Sequence, residues 1–228
     1  MLSLVDLVKA GTLTLELASE MVLIVSRGGS FLTAAGPGGV GKTTLMGALL
    51  AFLPPDTEIV TVEGPATLKS LARSSGSQRC LMVHEIGSGS YFGYLWGPAV
   101  AEYFSFHEAG FSLASNLHAT NYEQARGQLT GPTLGVAEEH FGAVDLIACM
   151  ARDSGKRRVT SVWQADKRGE HVMRWRWHSG RDDFDKIGIP DKETDPELAR
   201  IRQFLSGALE DDCHLMTQLR QRALKSLF

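Results

Sequence analysis

The stretch Gly36-Pro37-Gly38-Gly39-Val40-Gly41-Lys42-Thr43, with Thr44 behind it, decides how this 228-residue chain is read. Two glycines flank four residues and are followed by lysine and threonine, the spacing of a phosphate loop. The physical demand behind that spacing is specific. A triphosphate needs several backbone N–H groups turned inward, and glycine reaches the required backbone angles without strain. It also gains from the positive end of a helix that starts where the loop stops. In this pattern Lys42 reaches the β- and γ-phosphates and the Thr43 hydroxyl ligates Mg²⁺. The flanks agree. Phe31-Leu32-Thr33-Ala34-Ala35 predicts a short buried strand and residues 45–50 an apolar helix, giving the order strand, loop, helix that the motif requires.

Working outward, residues 3–9 and 14–26 predict two helices with a break at Gly11-Thr12. Downstream, the loop helix is expected over 42–53, stopping before Pro54-Pro55. The β-branched run Glu58-Ile59-Val60-Thr61-Val62-Glu63 predicts a strand that ends at Gly64-Pro65, and the polar residues 69–78 a loop or short helix. Cys80-Leu81-Met82-Val83 predicts a buried strand with His84-Glu85 at its C-terminal end. A helix over 98–108 and a strand at Phe111-Ser112-Leu113-Ala114-Ser115 follow, the latter leading into Asn116-Leu117-His118, and a further helix is expected over 121–129.

The pattern then changes. Val144 to Met150 opens a run of strands, and residues 158–163 and 171–177 flank Asp166-Lys167-Arg168-Gly169 as an antiparallel hairpin. Alternation along the second of these strands sets Met173, Trp175 and Trp177 on one face and Arg174 and Arg176 on the other. Asp195-Pro196-Glu197 starts a helix, and another after Asp211-Asp212 aligns Leu215, Leu219, Ala223 and Leu227. The expected fold is α/β: a mostly parallel sheet flanked by helices, with a C-terminal antiparallel hairpin and a helical tail. Residues 1–28 are expected as a helical linker segment, 29–190 as the nucleotide domain and 191–228 as the tail.

Composition narrows the function classes. The longest apolar run near the N-terminus, Met21-Val22-Leu23-Ile24-Val25, falls well short of the ~18 residues a membrane span needs. Neither a secretory signal nor a disulfide framework is expected, since Cys80, Cys149 and Cys213 are widely spaced; a reducing cytoplasm suits them. Net charge of −3 gives no general reason for nucleic-acid binding. One segment departs from it: residues 156–181 carry eight basic side chains against Asp166 and Glu170. A solvated hairpin face is the preferred reading, and a nucleic-acid translocase using Arg157, Arg174, Arg176 and the nearby tryptophans is the alternative.

Hydrolysis of a nucleotide needs an acid near the metal, a group that orients water and a sensor of the γ-phosphate. Such groups gather at the carboxyl ends of parallel strands. Glu63, Glu85 and His118 each follow an apolar strand downstream of the loop.

Taken in order, these motifs resemble the ATPases of the type II/type IV secretion superfamily, nearest to the tight-adherence pilus motors. Residues 31–44 match that family's Walker A, and Ile59-Val60-Thr61-Val62-Glu63-Gly64-Pro65 resembles its acidic box. Leu81-Met82-Val83-His84-Glu85-Ile86 is similar to its Walker B, and residues 110–121 to its histidine box. The resemblance implies a RecA-like P-loop NTPase fold and an ATP- and Mg²⁺-using motor. It further implies a hexameric, homo-oligomeric ring on a membrane platform protein, cytoplasmic and peripheral to the inner face of the membrane. By the same resemblance Gly36 to Gly41 cradle phosphates with Lys42 and Thr44, and Thr43 and Glu85 hold the metal. Glu85 also acts on the attacking water, Glu63 positions it and His118 senses the γ-phosphate. Departures are equally concrete. Phe111 stands where the family's first histidine falls, Gly87 where an arginine follows the Walker B acid, and only 21 residues separate Glu63 from Glu85. A compact variant without the family's N-terminal domain is expected, with slow turnover unless a partner supplies arginines; a hydrolysis-poor regulatory module is the alternative.

Overall fold

Strands that are apolar on both faces require a layer of protein on each side, and the central strands of this chain meet that requirement. The computed structural model describes residues 2–36, 38–71, 76–89, 91–188 and 195–228. Helices α1 (Leu4–Lys9) and α2 (Leu15–Ser26) lead into β1 (Phe31–Ala34), and the loop connects β1 to α3 (Lys42–Leu50). Both leading helices begin at side-chain acceptors: Ser3 forms a capping box with Asp6, and Thr14 caps α2. Next come β2 (Glu58–Thr61), α4 (Pro65–Leu71), β3 (Arg79–Ile86), β4 (Tyr94–Leu95) and α5 (Pro98–Ser105). A 3₁₀ turn (Phe106–Ala109) precedes β5 (Ser112–Leu117), which is followed by α6 (Tyr122–Thr130) and α7 (Glu138–Gly142). The remaining elements are β6 (Leu146–Asp153), β7 (Lys156–Ala165), β8 (His171–His178), β9 (Asp183–Lys186), α8 (Pro196–Glu210) and α9 (Met216–Ser226).

Among the described residues the strands form one sheet in the order β2-β3-β5-β1-β6-β7-β8-β9, with β4 paired on β3. Pairing is parallel from β2 to β6 and antiparallel from β6 to β9. The loop strand β1 therefore lies between β5 and β6, with five parallel strands ending at the loop's side of the sheet. Alternate residues divide two cores. Phe31, Leu146 and Ala148 join α1, α2, α3, α8 and α9 on one face, whereas Leu32, Ile147 and Cys149 join α4, α5, α6 and α7 on the other. Phe52 and Tyr103 are fully buried in the respective layers, and each such side chain contributes roughly 1.5–3 kcal/mol of apolar burial.

Several boundaries differ from the sequence expectation. Helix α3 ends at Leu50 rather than residue 53, and the carbonyls of Ala51, Leu53 and Pro54 are instead taken by the Arg220 guanidinium of α9. Strand β2 stops at Thr61, so Glu63 lies beyond it. Residues 65–71 form helix α4; positions 72–75 of the serine-rich stretch lie outside the described residues. Glu85 is within β3 rather than after it, because Glu85 and Ile86 pair with Tyr94 and Leu95 of an unforeseen β4. Short α7 and edge strand β9 also escaped the periodicity. Leu215 is the N-cap of α9 and is 59% exposed, whereas Leu219, Ala223 and Leu227 are buried. The expected boundary between residues 190 and 191 lies outside the described residues. No helix among those described is long and apolar enough to cross a membrane.

Candidate functional site

The loop residues sit where the central strand hands over to a helix. Gly39 and Gly41 have φ of +75° and +112°, conformations open to glycine and strained for other residues. Gly41 is the N-cap of α3 and no side chain caps the helix, so its first N–H groups are presented to an anion. A Cβ on Gly38 or Gly39 would meet nothing, leaving open space in front of the loop, whereas one on Gly36 would strike Thr120 Cγ2 at 2.4 Å. Pro37 lies outside the described residues.

Three of the expected side chains converge there. Lys42 is buried, with Nζ 3.2 Å from Glu85 Oε1 and 3.2 Å from His118 Nδ1. Glu85 Oε1 is itself buried without an aligned hydrogen-bond partner, and His118 Nε2 stands 3.8 Å from it. Burial pushes the Lys42 ammonium below the usual lysine range, and the neighbouring Glu85 carboxylate opposes that shift. His118 Nδ1 also lies 3.0 Å from the Gly36 carbonyl. One ring nitrogen cannot accept from Lys42 and donate to Gly36 at once, so the two contacts are alternative tautomers. With Gly38 to Thr44, Tyr94 and Arg157, these groups line a cavity of about 350 Å³. Its oxygen donors, the Thr43 hydroxyl and the Glu85 carboxylate, suit Mg²⁺. The Thr43 hydroxyl and Glu85 carboxylate, the uncapped helix and the open cradle fit a phosphate chain and its cation.

Glu63 behaves differently. Its side chain is exposed, its backbone N–H donates to Thr67 Oγ1, and it does not line the cavity.

Fold likeness bears on this arrangement. No family model matches the chain, and no curated protein matches it. Among solved structures it is similar to the VirB11 ATPase of the Brucella suis type IV secretion system, determined in complex with sulphate. The TM-score is 0.51 at 19% identity over 70% of this chain. The chain spans 54% of that protein's length, about half. The likeness is one of fold: a mixed α/β layer structure with a mostly parallel sheet.

Four groups extend the site beyond the expected residues: Thr33, Asn116, Tyr94 and Arg157, the last expected only as a nucleic-acid contact. Asn116, fully buried at the end of β5, accepts from Thr33 Oγ1 and donates to the His84 carbonyl at 2.7 Å and to Thr43 Oγ1 at 3.5 Å. It ties β1, β3, β5 and α3 together directly behind the loop. A polar residue in each of two otherwise apolar strands, Thr33 and Asn116, was the available signal. Tyr94 and Arg157 reach the cavity only through strand pairing, and their local sequence carries no such signal.

Part of the basic hairpin is engaged within the chain. Arg158 is 4% exposed and grips Asp182 with Nε and Nη2, both at 2.8 Å. Lys156 joins the same carboxylate, and Arg181 pairs with Asp185. Trp175 is buried and donates to Glu20, while Trp163 stacks on Tyr122 with centroids 4.1 Å apart. Burial pushes the Cys80 thiol up to about 12 and that of Cys149 to about 11, so neither is a thiolate nucleophile at neutral pH.

Proposed function

We propose that the chain is a motor-type ATPase of the secretion class, binding Mg-ATP at the loop cavity and coupling its hydrolysis to movement of a partner. The observation that carries this reading is the convergence of Lys42, Glu85 and His118 at the mouth of the uncapped α3. Loop N–H groups and Lys42 hold the β- and γ-phosphates. Glu85 Oε1 accepts a proton from water as its oxygen bonds to the γ-phosphorus and ADP leaves. When bound, Mg²⁺ neutralises charge developing on the phosphate oxygens, and Thr43 and Glu85 are the residues that would hold it. His118 reads the γ-phosphate by exchanging its Lys42 contact for its Gly36 contact. Glu63 keeps its role as a water-positioning group, which requires the exposed segment after β2 to close over the nucleotide.

The fold likeness to a VirB11 ATPase supports the secretion-type reading, and the ordered motifs alone carry the finer assignments. These are a RecA-like fold of tight-adherence type, a hexameric ring and a membrane platform on the cytoplasmic side. A hydrolysis-poor regulatory module is the second reading, favoured by the absence of Glu63 from the cavity lining. Mg-ATP turnover measured over a range of protein concentrations, beside Glu85→Gln, separates them. Turnover that rises more than proportionally with concentration and disappears in Glu85→Gln is the expected result. Tight binding without turnover would select the regulatory module, and binding unaffected by Lys42→Ala would overturn the site.

A further inference from the structure

The far end of the sheet holds a second cluster of ligating side chains. His107 and Glu108 belong to the 3₁₀ turn that runs into β5, and His140 to α7, which precedes β6. Both strands are parallel to β1, so the three residues gather at strand N-termini, away from the phosphate loop at the C-terminal end. One ligand atom from each lies within 4.8 Å of the other two. His140 Nε2 is 2.9 Å from Glu108 Oε1, and the His107 and His140 rings meet edge to face with centroids 5.2 Å apart.

The contact between Glu108 and His140 accounts for two of the three. It leaves His107 Nε2, which is buried and has no hydrogen-bond partner. Buried imidazole nitrogens are ordinarily satisfied, and a histidine with an unsatisfied nitrogen, its ring beside a second histidine and a carboxylate, has the surroundings of a metal ligand. We propose that His107, Glu108 and His140 form a binding site for a zinc-type divalent cation, with one coordination position left to water.

Two imidazoles and one carboxylate are a recognised zinc donor set, with bonds of about 2.0–2.2 Å. Tetrahedral bonds of that length hold donor atoms about 3.3 Å apart, so the cluster closes by no more than about 1.5 Å. Glu108 supplies that freedom, its side chain being 65% exposed. Bound there, the cation would staple the turn before β5 to α7.

Co²⁺ and Zn²⁺ titrations of the full chain test the site. Four-coordinate Co²⁺ gives an intense visible absorption, and Zn²⁺ should displace it and raise the thermal midpoint until a chelator reverses the shift. His140→Gln and His107→Gln should weaken binding by at least ~10–100-fold, the loss typical of disturbing even an outer partner. Glu108→Gln, on an exposed side chain, tests the same ligand set without threatening the fold and should weaken binding too. Glu85→Gln, at the other end of the sheet, should leave the Co²⁺ spectrum intact. Binding that survives all three ligand substitutions, or that vanishes in Glu85→Gln, would overturn the proposal, as would the absence of saturable binding in the unaltered chain.

Discussion

Arg157 leans on Gly41: a Cβ built on that glycine would stand 3.4 Å from Arg157 Cδ. The helix cap, the loop and the first strand of the hairpin therefore meet at one point, where a Cβ would make ordinary contact and the backbone angle is what demands glycine. With φ of +112° at Gly41, Gly41→Ala should cost ~1–3 kcal/mol in backbone strain. Urea unfolding should report that loss, and a fluorescent-nucleotide titration should show weaker binding, because the loop N–H groups lose the arrangement that faces the phosphates.

Arg157 itself lines the cavity from within the same chain. A charge-assisted hydrogen bond to a phosphate is worth ~1.5–3 kcal/mol. Arg157→Ala should weaken ATP binding accordingly and AMP binding much less, whereas Arg157→Lys should restore part of the difference. Equal affinities for ATP in the three proteins, measured calorimetrically, would show that Arg157 does not touch the phosphates.

Asn116 serves the site from behind. Its amide satisfies the His84 carbonyl while its oxygen accepts from Thr33, all without exposure to water. Asn116→Ala leaves those groups unpaired, and ~1–3 kcal/mol of stability should be lost. Asn116→Asp should be no better, because it substitutes a buried acceptor for the donor that His84 needs. Chemical denaturation of both variants checks the ordering.

The Arg158 and Lys156 contacts hold the Asp182 carboxyl well below the usual carboxylate range. The unfolded chain therefore binds a proton there more readily than the folded one, so this contact's stabilisation is complete above the ordinary carboxylate pKa of about 3.9. It is lost as pH falls from that value toward the lowered folded one. The stability difference between the unaltered chain and Asp182→Asn should be largest near pH 6 and shrink steadily below about pH 4. A difference that stays constant through that window in urea titrations would contradict the assignment.

Much of the central sheet was legible because its strands are buried on both sides and read as continuous apolar runs. The loop and Lys42 followed from spacing, and the acid of β3 from its place at the end of an apolar strand together with the family resemblance. What the residues could not announce was what depends on pairing between distant strands. Tyr94 enters the cavity because two residues of β4 pair at the end of β3, and Arg157 because β7 returns beside β6. Helix α7 spans only five residues, too few for a helical period to stand out. Glu63 illustrates the converse, a motif position whose side chain remains outside the cavity that its neighbours in sequence order form.

Arg220 has a consequence of another kind. From α9 it donates to the carbonyls of Ala51, Leu53 and Pro54, the oxygens left over where α3 ends. One end of that helix thus faces the nucleotide cavity and the other is tethered to the last segment of the chain. Any axial slip of α3 must either drag Arg220 along or break its bonds, so the C-terminal helix is geared to the same shaft that would feel phosphates arrive and depart.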